Sequence, residues 1–311
     1  MKVGIVPHRT RPMAAELATA TANELNRRGV SVSVPSSDAR LTGLDRWAVK
    51  DEIFVEGLDV VLSLGGDGTM LRAIDLVLDH DVPVLGVNVG HLGYLTALVP
   101  DELPGSLNAV LAGAFDVEER MTLDIEVHRP GTDQAEPFHA LNDAVVEKSS
   151  PGNTVRLGVA FNGRPFLDYS TDGLIVATPT GSTAYAFSVR GPILSPMMTA
   201  LVVVPVSPHM LFDRSLVLGG DETVTISVLD GRAGTLFVDG RDCGLVPEGT
   251  TVNCARGKRL AKLVTFTQRD FYRRVTTKFA LPIPGESHVR ERFQSDLAEG
   301  PEIGRPGSSG F

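Results

Sequence analysis

The stretch Leu58-Asp59-Val60-Val61-Leu62-Ser63-Leu64-Gly65-Gly66-Asp67-Gly68-Thr69-Met70 decides how this chain is read. Leu58–Leu64 is an apolar run of strand length, it breaks at Gly65, Gly66 and Gly68, and Met70–Leu78 carries helical spacing. Glycines at such a turn let backbone N–H groups approach a ligand with no Cβ in the way. The helix that follows offers its N-terminal N–H groups and positive dipole end, which suits a phosphate. Asp67 is the odd residue, because a carboxylate repels phosphate. It makes sense if it holds a metal or takes a proton from an attacking hydroxyl. A plain Gly-rich turn with Thr69 as helix cap reads the same letters without any ligand. The loop is not a Walker A loop, since no Gly-Lys-Ser/Thr follows, and it is not the Gly-x-Gly-x-x-Gly of a hydride-transfer fold.

Outward from this loop, short apolar runs alternate with helical stretches. Val3–Val6 reads as a strand, Met13–Arg28 as a helix ended by Gly29, and Val30–Val34 and Val82–Val87 as further strands. Strand, helix, strand repeated in this way implies a parallel sheet, so residues 1–120 are expected to form an α/β domain. The pattern changes near Glu118–Leu123. Leu123–Val127, Asp143–Glu147, Arg156–Phe161, Gly173–Ala177, Leu201–Val204, Thr223–Leu229, Thr235–Val238 and Ala261–Thr267 are β-branched runs separated by Gly, Asn, Asp and Pro. They predict a β-rich domain over 121–271. The polar stretch from Pro282, ending in Gly-Arg-Pro-Gly-Ser-Ser-Gly before Phe311, reads as a mobile tail over 291–311.

The 311 residues are 42% hydrophobic and 22% charged, ordinary for a globular protein and enough for two domains. A net charge of −9 argues against non-specific nucleic-acid binding and against docking on an anionic membrane. It does not exclude a phosphorylated ligand, which a loop of backbone N–H groups can hold locally. Cys243 and Cys254 have no His or Cys cluster around them and read as small apolar residues in a reducing compartment. MKVGIVPHR runs straight into a strand, with no signal-peptide pattern, and no apolar run approaches bilayer length. A cytoplasmic protein is expected. His91, His139 and His209 read as satisfied or solvated histidines rather than catalysts. Asp101-Glu102 and Glu118-Glu119 read as solvated surface, and no spacing suggests a metal ion held by the protein alone.

Gly65-Gly66-Asp67-Gly68-Thr69 resembles the signature loop shared by NAD kinases, diacylglycerol and sphingosine kinases and, more distantly, phosphofructokinases. Three further segments resemble the NAD kinases of bacterial type in particular. They are Gly86-Val87-Asn88-Val89-Gly90-His91-Leu92-Gly93-Tyr94-Leu95, then Leu141-Asn142-Asp143, and Thr171-Asp172-Gly173 followed by Thr178-Pro179-Thr180-Gly181-Ser182-Thr183-Ala184-Tyr185 and Ser188. Order and spacing agree from Met1 to Tyr272. The resemblance implies a two-domain NAD kinase-like fold, with the segment 272–290 returning to the first domain and the nucleotide in the crevice between domains.

The same resemblance implies an activity: transfer of a phosphoryl group from ATP, or from polyphosphate, to the 2′-hydroxyl of the adenosine ribose of NAD. Asp67 is then the base, and Gly65, Gly66, Gly68 and Thr69 meet the donor phosphates. Asp67, Gly68, Tyr94, Asn142, Asp143, Asp172, Thr183, Ala184, Tyr185 and Ser188 are expected around NAD, with Asp172 towards the nicotinamide. Mg²⁺ is expected to arrive with ATP, and a homodimer or homotetramer is expected from the family. Three positions depart from the family pattern: Asp143 stands for a common Glu, Arg190 for a common Gly, and Ser195 for a common His. If position 190 needs positive φ, an arginine there alters the local backbone; alternatively Arg190 is exposed and adds a cation near a phosphate. Two other readings share part of the evidence. A lipid kinase would share the loop but predicts an apolar acceptor cleft and a means of meeting the membrane. A non-catalytic NAD(P)-binding regulator would share the fold but has no use for a carboxylate beside phosphates.

Overall fold

The computed structural model describes residues 1–90, 93–266 and 271–281. The first part comprises β1 (Lys2–Pro7), α1 (Pro12–Arg27), β2 (Ser31–Pro35), α2 (Ser36–Thr42), β3 (Ala48–Val49), β4 (Val60–Gly65), α3 (Asp67–Val77), β5 (Val84–Asn88) and α4 (Leu103–Leu111). Strands β1, β4 and β5 are apolar and almost wholly buried, as strands covered on both faces must be. They pair in parallel in the order β5-β4-β1-β2-β3. Their side chains alternate between two apolar clusters. Val3, Ile5, Leu62 and Leu64 pack with Ala18, Ala22 and Leu25 of α1 and Leu107 of α4. Val6 and Val61 pack with Met70, Ala73 and Ile74 of α3. Helices therefore cover both faces, with α3 opposite α1 and α4.

The second part adds β6 (Asp116–His128), β7 (Glu136–Ala140), β8 (Asp143–Lys148), β9 (Val155–Phe161), β10 (Arg164–Thr171), β11 (Gly173–Ala177), α5 (Tyr185–Ser188), β12 (Ala200–Val206), β13 (Leu216–Gly219), β14 (Val224–Leu229), β15 (Gly234–Val238), β16 (Arg241–Val246) and β17 (Thr251–Thr265). β17 pairs with β6 along most of its length and meets β5 through Leu263 and Val84, so one sheet continues from the α/β part into the β-rich part. A six-stranded antiparallel sheet in the order β13-β12-β11-β8-β15-β16 packs against it. Leu123, Ile125, Leu157 and Ile226 of the long sheet meet Val146, Leu174, Val176 and Leu236 of the shorter one in a shared core. The outer face of the six-stranded sheet carries Val145, Ile175, Val202 and Val204, covered in part by Ala186 of α5 and by Leu194.

The expected α/β-then-β-rich order is what the chain shows. Several boundaries differ. The helix after the glycine loop begins at Asp67 rather than Met70, because Gly66 takes the extended N-cap position and an acidic residue in the first turn meets the positive end of the helix. α2, α4, β7, β10, β13 and β16 lie where no element was expected. Phe271–Lys278 forms α6, taken by itself. Of the segment expected to return, 272–281 are described and 282–290 lie outside the described residues, as does the whole expected tail 291–311. Among the described residues no helix is long and apolar enough to cross a membrane.

Candidate active site

Asp67 sits in the first turn of α3, and its carboxylate is held from outside the helix. The Tyr94 N–H donates to Oδ2 at 2.9 Å and the Leu95 N–H to Oδ1 at 3.0 Å. Gly93 makes this approach possible, since a Cβ there would overlap the Asp67 carboxylate. Gly65 plays a similar part for Thr69, whose side chain occupies the space a Cβ would need. The phenol of Tyr94 is pushed up by burial first and by the charge of Asp67 second. The motif around residues 86–95 and the glycine loop therefore form one cluster, although His91 and Leu92 lie outside the described residues.

A cavity of about 350 Å³ opens next to it, lined by Leu71, Asn142, Asp143, Val145, Glu147, Ala184, Tyr185, Phe237, Asp239 and Gly240. Its size suits a small-molecule ligand. Leu71 lies one helical turn beyond Asp67 and Asp75 one turn further, so a single stripe of α3 runs from the loop past the cavity to the Asp75–Arg241 ion pair at 2.7 Å. The floor is the outer face of the six-stranded sheet, through Val145 and Phe237.

The polar end of the cavity is built by a residue the sequence did not single out. The Asp239 carboxylate accepts N–H bonds from Leu141 at 2.8 Å, Asn142 at 2.7 Å and Asp143 at 3.1 Å, and the Asp239 N–H returns one to the Asp143 carbonyl at 3.0 Å. Asp239 and Gly240 have φ of 49° and 73°, a two-residue hairpin between β15 and β16 with both residues left-handed. The Asp-Gly dipeptide was the available signal. Asp143 is buried, and its carboxyl is pushed up to about 7 by burial first and by the neighbouring Asp239 charge second. Asp239 is also raised by burial, against which its three N–H bonds and Arg241 act.

The long hydroxyl-rich motif packs onto the same corner. The Thr178 N–H donates to the Asn142 carbonyl at 2.8 Å and its hydroxyl donates to the Leu141 carbonyl. A Cβ on Gly181 would overlap the Asn142 carbonyl, which explains a glycine there. Most hydroxyls of the motif serve the backbone: Ser182 donates to Pro179 O at 2.7 Å, Thr183 to Thr180 O at 3.2 Å and Ser188 to Tyr185 O at 2.8 Å. Two hydroxyls meet side chains: Thr180 accepts from Arg120 Nη1 at 3.3 Å, and Tyr185 donates to Glu147 Oε1 at 2.6 Å, its phenol raised by burial, by that bond and by the charges of Asp172 and Asp143.

Of the expected NAD contacts, Asn142, Asp143, Ala184 and Tyr185 line the cavity, while Asp67, Gly68 and Tyr94 belong to the adjoining cluster. Thr183, Ser188 and Asp172 are not among the lining residues; Asp172 pairs with Lys148 at 2.6 Å, close enough to Tyr185 to raise its phenol. Glu147, Phe237 and Asp239 are lining residues the sequence reading missed. Arg190 has φ of 67°. Its N–H bonds the Phe187 carbonyl at 3.0 Å and that of Gly191 bonds the Ala186 carbonyl at 2.8 Å, a Schellman ending of α5 with arginine in the position glycine prefers. The expected altered backbone is instead the ordinary left-handed one, adopted under strain. Among the described residues no group of three or more His, Cys, Asp or Glu could hold a metal ion. His139 is bonded to Asp124 at 2.9 Å and His209 is exposed.

Residues 3–115 match the family model for the ATP-NAD kinase N-terminal domain and residues 141–266 that for the ATP-NAD kinase C-terminal domain. The chain belongs to the NAD kinase family. An NAD kinase of Thermobifida fusca is 38% identical over 294 residues, covering 90% of each chain. NAD kinase 2 of Streptomyces coelicolor is 37% identical over 288 residues, covering 91% of this chain and 95% of the relative. In fold the chain is similar to yeast NADH kinase complexed with NADH, with a TM-score of 0.83 at 23% identity over 89% of this chain and 86% of that one. An NAD kinase from Archaeoglobus fulgidus in complex with ATP gives 0.69 at 23% identity, over 91% and 100%. The glycine loop and the cavity meet along α3, through Asp67 and Leu71.

Proposed function

We propose that this protein transfers the terminal phosphoryl group of ATP to the 2′-hydroxyl of the adenosine ribose of NAD, producing NADP, with Asp67 as the base. The observation that carries the proposal is the Asp67 carboxylate, aimed by two backbone N–H groups at the junction of the glycine loop and the cavity. Each oxygen of a carboxylate accepts more than one hydrogen bond, so both remain able to accept from a ligand.

In the reaction, the ribose 2′-oxygen attacks the terminal phosphorus as Asp67 takes its proton. The new 2′-O–P bond forms while the bond between phosphorus and its bridging oxygen breaks, and that electron pair leaves with ADP. Little covalent work falls to the protein, whose task is to position and neutralise. Gly65, Gly66, Gly68 and Thr69 bring the loop N–H groups and the start of α3 to the donor phosphates. Asn142, Asp143, Ala184 and Tyr185 line the space for NAD, with Asp143 as an acceptor for ribose hydroxyls; Thr183, Ser188 and Asp172 act behind them. Mg²⁺ arriving with the donor would neutralise phosphate charge.

A homo-oligomer belongs to the same reading. The exposed Val217 on β13, an edge strand of the six-stranded sheet, supports a surface that pairs with another copy. A cytoplasmic address is supported by two free cysteines. The test is NADP formation from NAD with Mg-ATP and, separately, with Mg-polyphosphate. NADP with ATP is the expected result. NAD binding without NADP from either donor would overturn the kinase reading and favour a binding protein.

A further inference from the structure

Three parallel strands end side by side at one edge of the α/β sheet. β1 runs into Pro7-His8-Arg9-Thr10-Arg11, β4 into the glycine loop, and β5 into Asn88-Val89-Gly90. Backbone bonds tie these ends together: the His8 N–H donates to the Leu64 carbonyl at 2.8 Å and the Val89 N–H to the Gly65 carbonyl at 2.7 Å. From β1 the chain moves outward to β2 and β3, then returns on the other side of β1 as β4. The strand order thus reverses between β1 and β4. Open α/β sheets bind ligands in the crevice beyond the carboxyl ends of their strands at such a reversal.

This crevice carries a surplus of positive charge that the fold itself does not use up. The Arg11 guanidinium lies over Gly90 and donates to the Val89 carbonyl, and among the described residues no carboxylate pairs with it. Arg9 Nε lies 2.8 Å from Asp38 Oδ1, and Arg72 of α3 pairs with the same carboxylate while donating to the Pro7 carbonyl at 2.8 Å. Asp38 is fully buried, so two guanidinium groups share one anion. One charge is left over there, and Arg11 adds another. Arg9 keeps 45% of its side chain exposed, so its fork is not used up by Asp38. The His8 imidazole reports on the field, its pKa lowered by burial first and then by Arg11 and Arg72. In a chain of net charge −9, cations gathered beside a glycine loop call for an anion from outside.

Resting on the kinase reading above, we propose that Arg9 and Arg11 grip the phosphate chain of the phosphoryl donor in the crevice between β1 and β4. A planar guanidinium fork matches phosphate oxygens in pairs. The phosphate chain is common to a nucleoside triphosphate and to inorganic polyphosphate, so the site addresses either donor. Arg72 and Asp38 act as positioning residues that hold Arg9 and the end of β1 in place. Arg11, through Val89, is tied to the first glycine of the loop.

The test is calorimetric titration of the full chain, without NAD, using ATP in one arm and inorganic tripolyphosphate in the other. The Arg9→Gln/Arg11→Gln variant is expected to bind both ligands at least about tenfold more weakly, as loss of charge-assisted phosphate contacts implies. Its NAD affinity and the KM for NAD should stay unchanged while the KM for ATP rises. Arg11→Lys, which keeps the charge but not the fork, should fall between wild type and the double variant. Donor affinity unchanged in the double variant would overturn the proposal. So would an equal loss of NAD affinity, which would make the cations supports of the fold or of the acceptor. Weakened ATP binding with intact tripolyphosphate binding would also overturn it, by placing the cations at the nucleoside end. Wild-type NADP formation separates the two levels: without it the kinase reading fails, and with it an unaffected double variant removes only this inference.

Discussion

Replacing Asp143 with Asn removes one of two carboxyls packed together at the polar end of the cavity. In the folded protein this carboxyl is pushed up from 3.8 to about 7, by burial and then by Asp239. Between those values the folded state holds a proton that the unfolded state has released. Stability therefore falls as pH rises through that window, by ~1.36 kcal/mol per pH unit, and the penalty is complete above about pH 7. From pH 5 to pH 8 the ionising wild type is expected to lose ~2–3 kcal/mol that the neutral variant does not. Asn keeps an oxygen that can accept the Tyr185 N–H now bonded to Asp143, so little else changes. Urea unfolding of both proteins at pH 5, 6, 7 and 8 measures the difference. The variant should gain on the wild type steadily up to about pH 7 and then level off. A gap that stays flat across the series would refute the claim that Asp143 ionises against burial and a like charge. NAD affinity should move the other way, falling in the variant at pH 8, because ionised Asp143 is the stronger acceptor.

Two further substitutions probe separate joints of the site. Gly93→Ala places a methyl where the Asp67 carboxylate now lies, so the base must turn away; kcat for NADP formation should drop by roughly a hundredfold, while urea unfolding shows a much smaller loss. Equal kcat would mean that the Gly93–Asp67 contact is not part of the working geometry. Arg190→Gly relieves a left-handed arginine at the end of α5, and after the entropy of glycine in the unfolded chain is counted it should stabilise by about 1 kcal/mol. Thermal unfolding checks this, and an unchanged or lower midpoint would show that the arginine makes contacts worth more than its backbone strain.

The central parallel strands were legible because buried apolar runs have few other uses, and Gly173–Ala177 was read to the residue. α2, with the sequence Ser36-Ser37-Asp38-Ala39-Arg40-Leu41-Thr42, was not, since a short polar segment looks like a loop until Ala39 and the buried Asp38 find partners on other elements. β17 was read only at its end. Its full length, 251–265, is interrupted by an irregularity between Arg256 and Leu260, where the alternation that marks a strand fails. The motifs of the site were each visible as local strings. What binds them together was not: Asp239 joins three successive N–H groups lying almost a hundred positions earlier in the chain, and the N–H groups that aim Asp67 come from the next loop. Such contacts depend on which strands become neighbours, and single-segment patterns carry no record of that. Position 190 was legible only as a departure from a related pattern, and its φ of 67° is left-handed where an altered backbone was expected.

The account rests on Asp67 as the group that takes the ribose proton. The most direct measurement compares wild type and Asp67→Asn for NADP formation from NAD and Mg-ATP, together with the NAD dissociation constant of each. Asn can still accept from one backbone N–H, so the account predicts near-normal NAD binding with kcat reduced by about a hundredfold or more. An Asp67→Asn enzyme that makes NADP at close to the wild-type rate would contradict it.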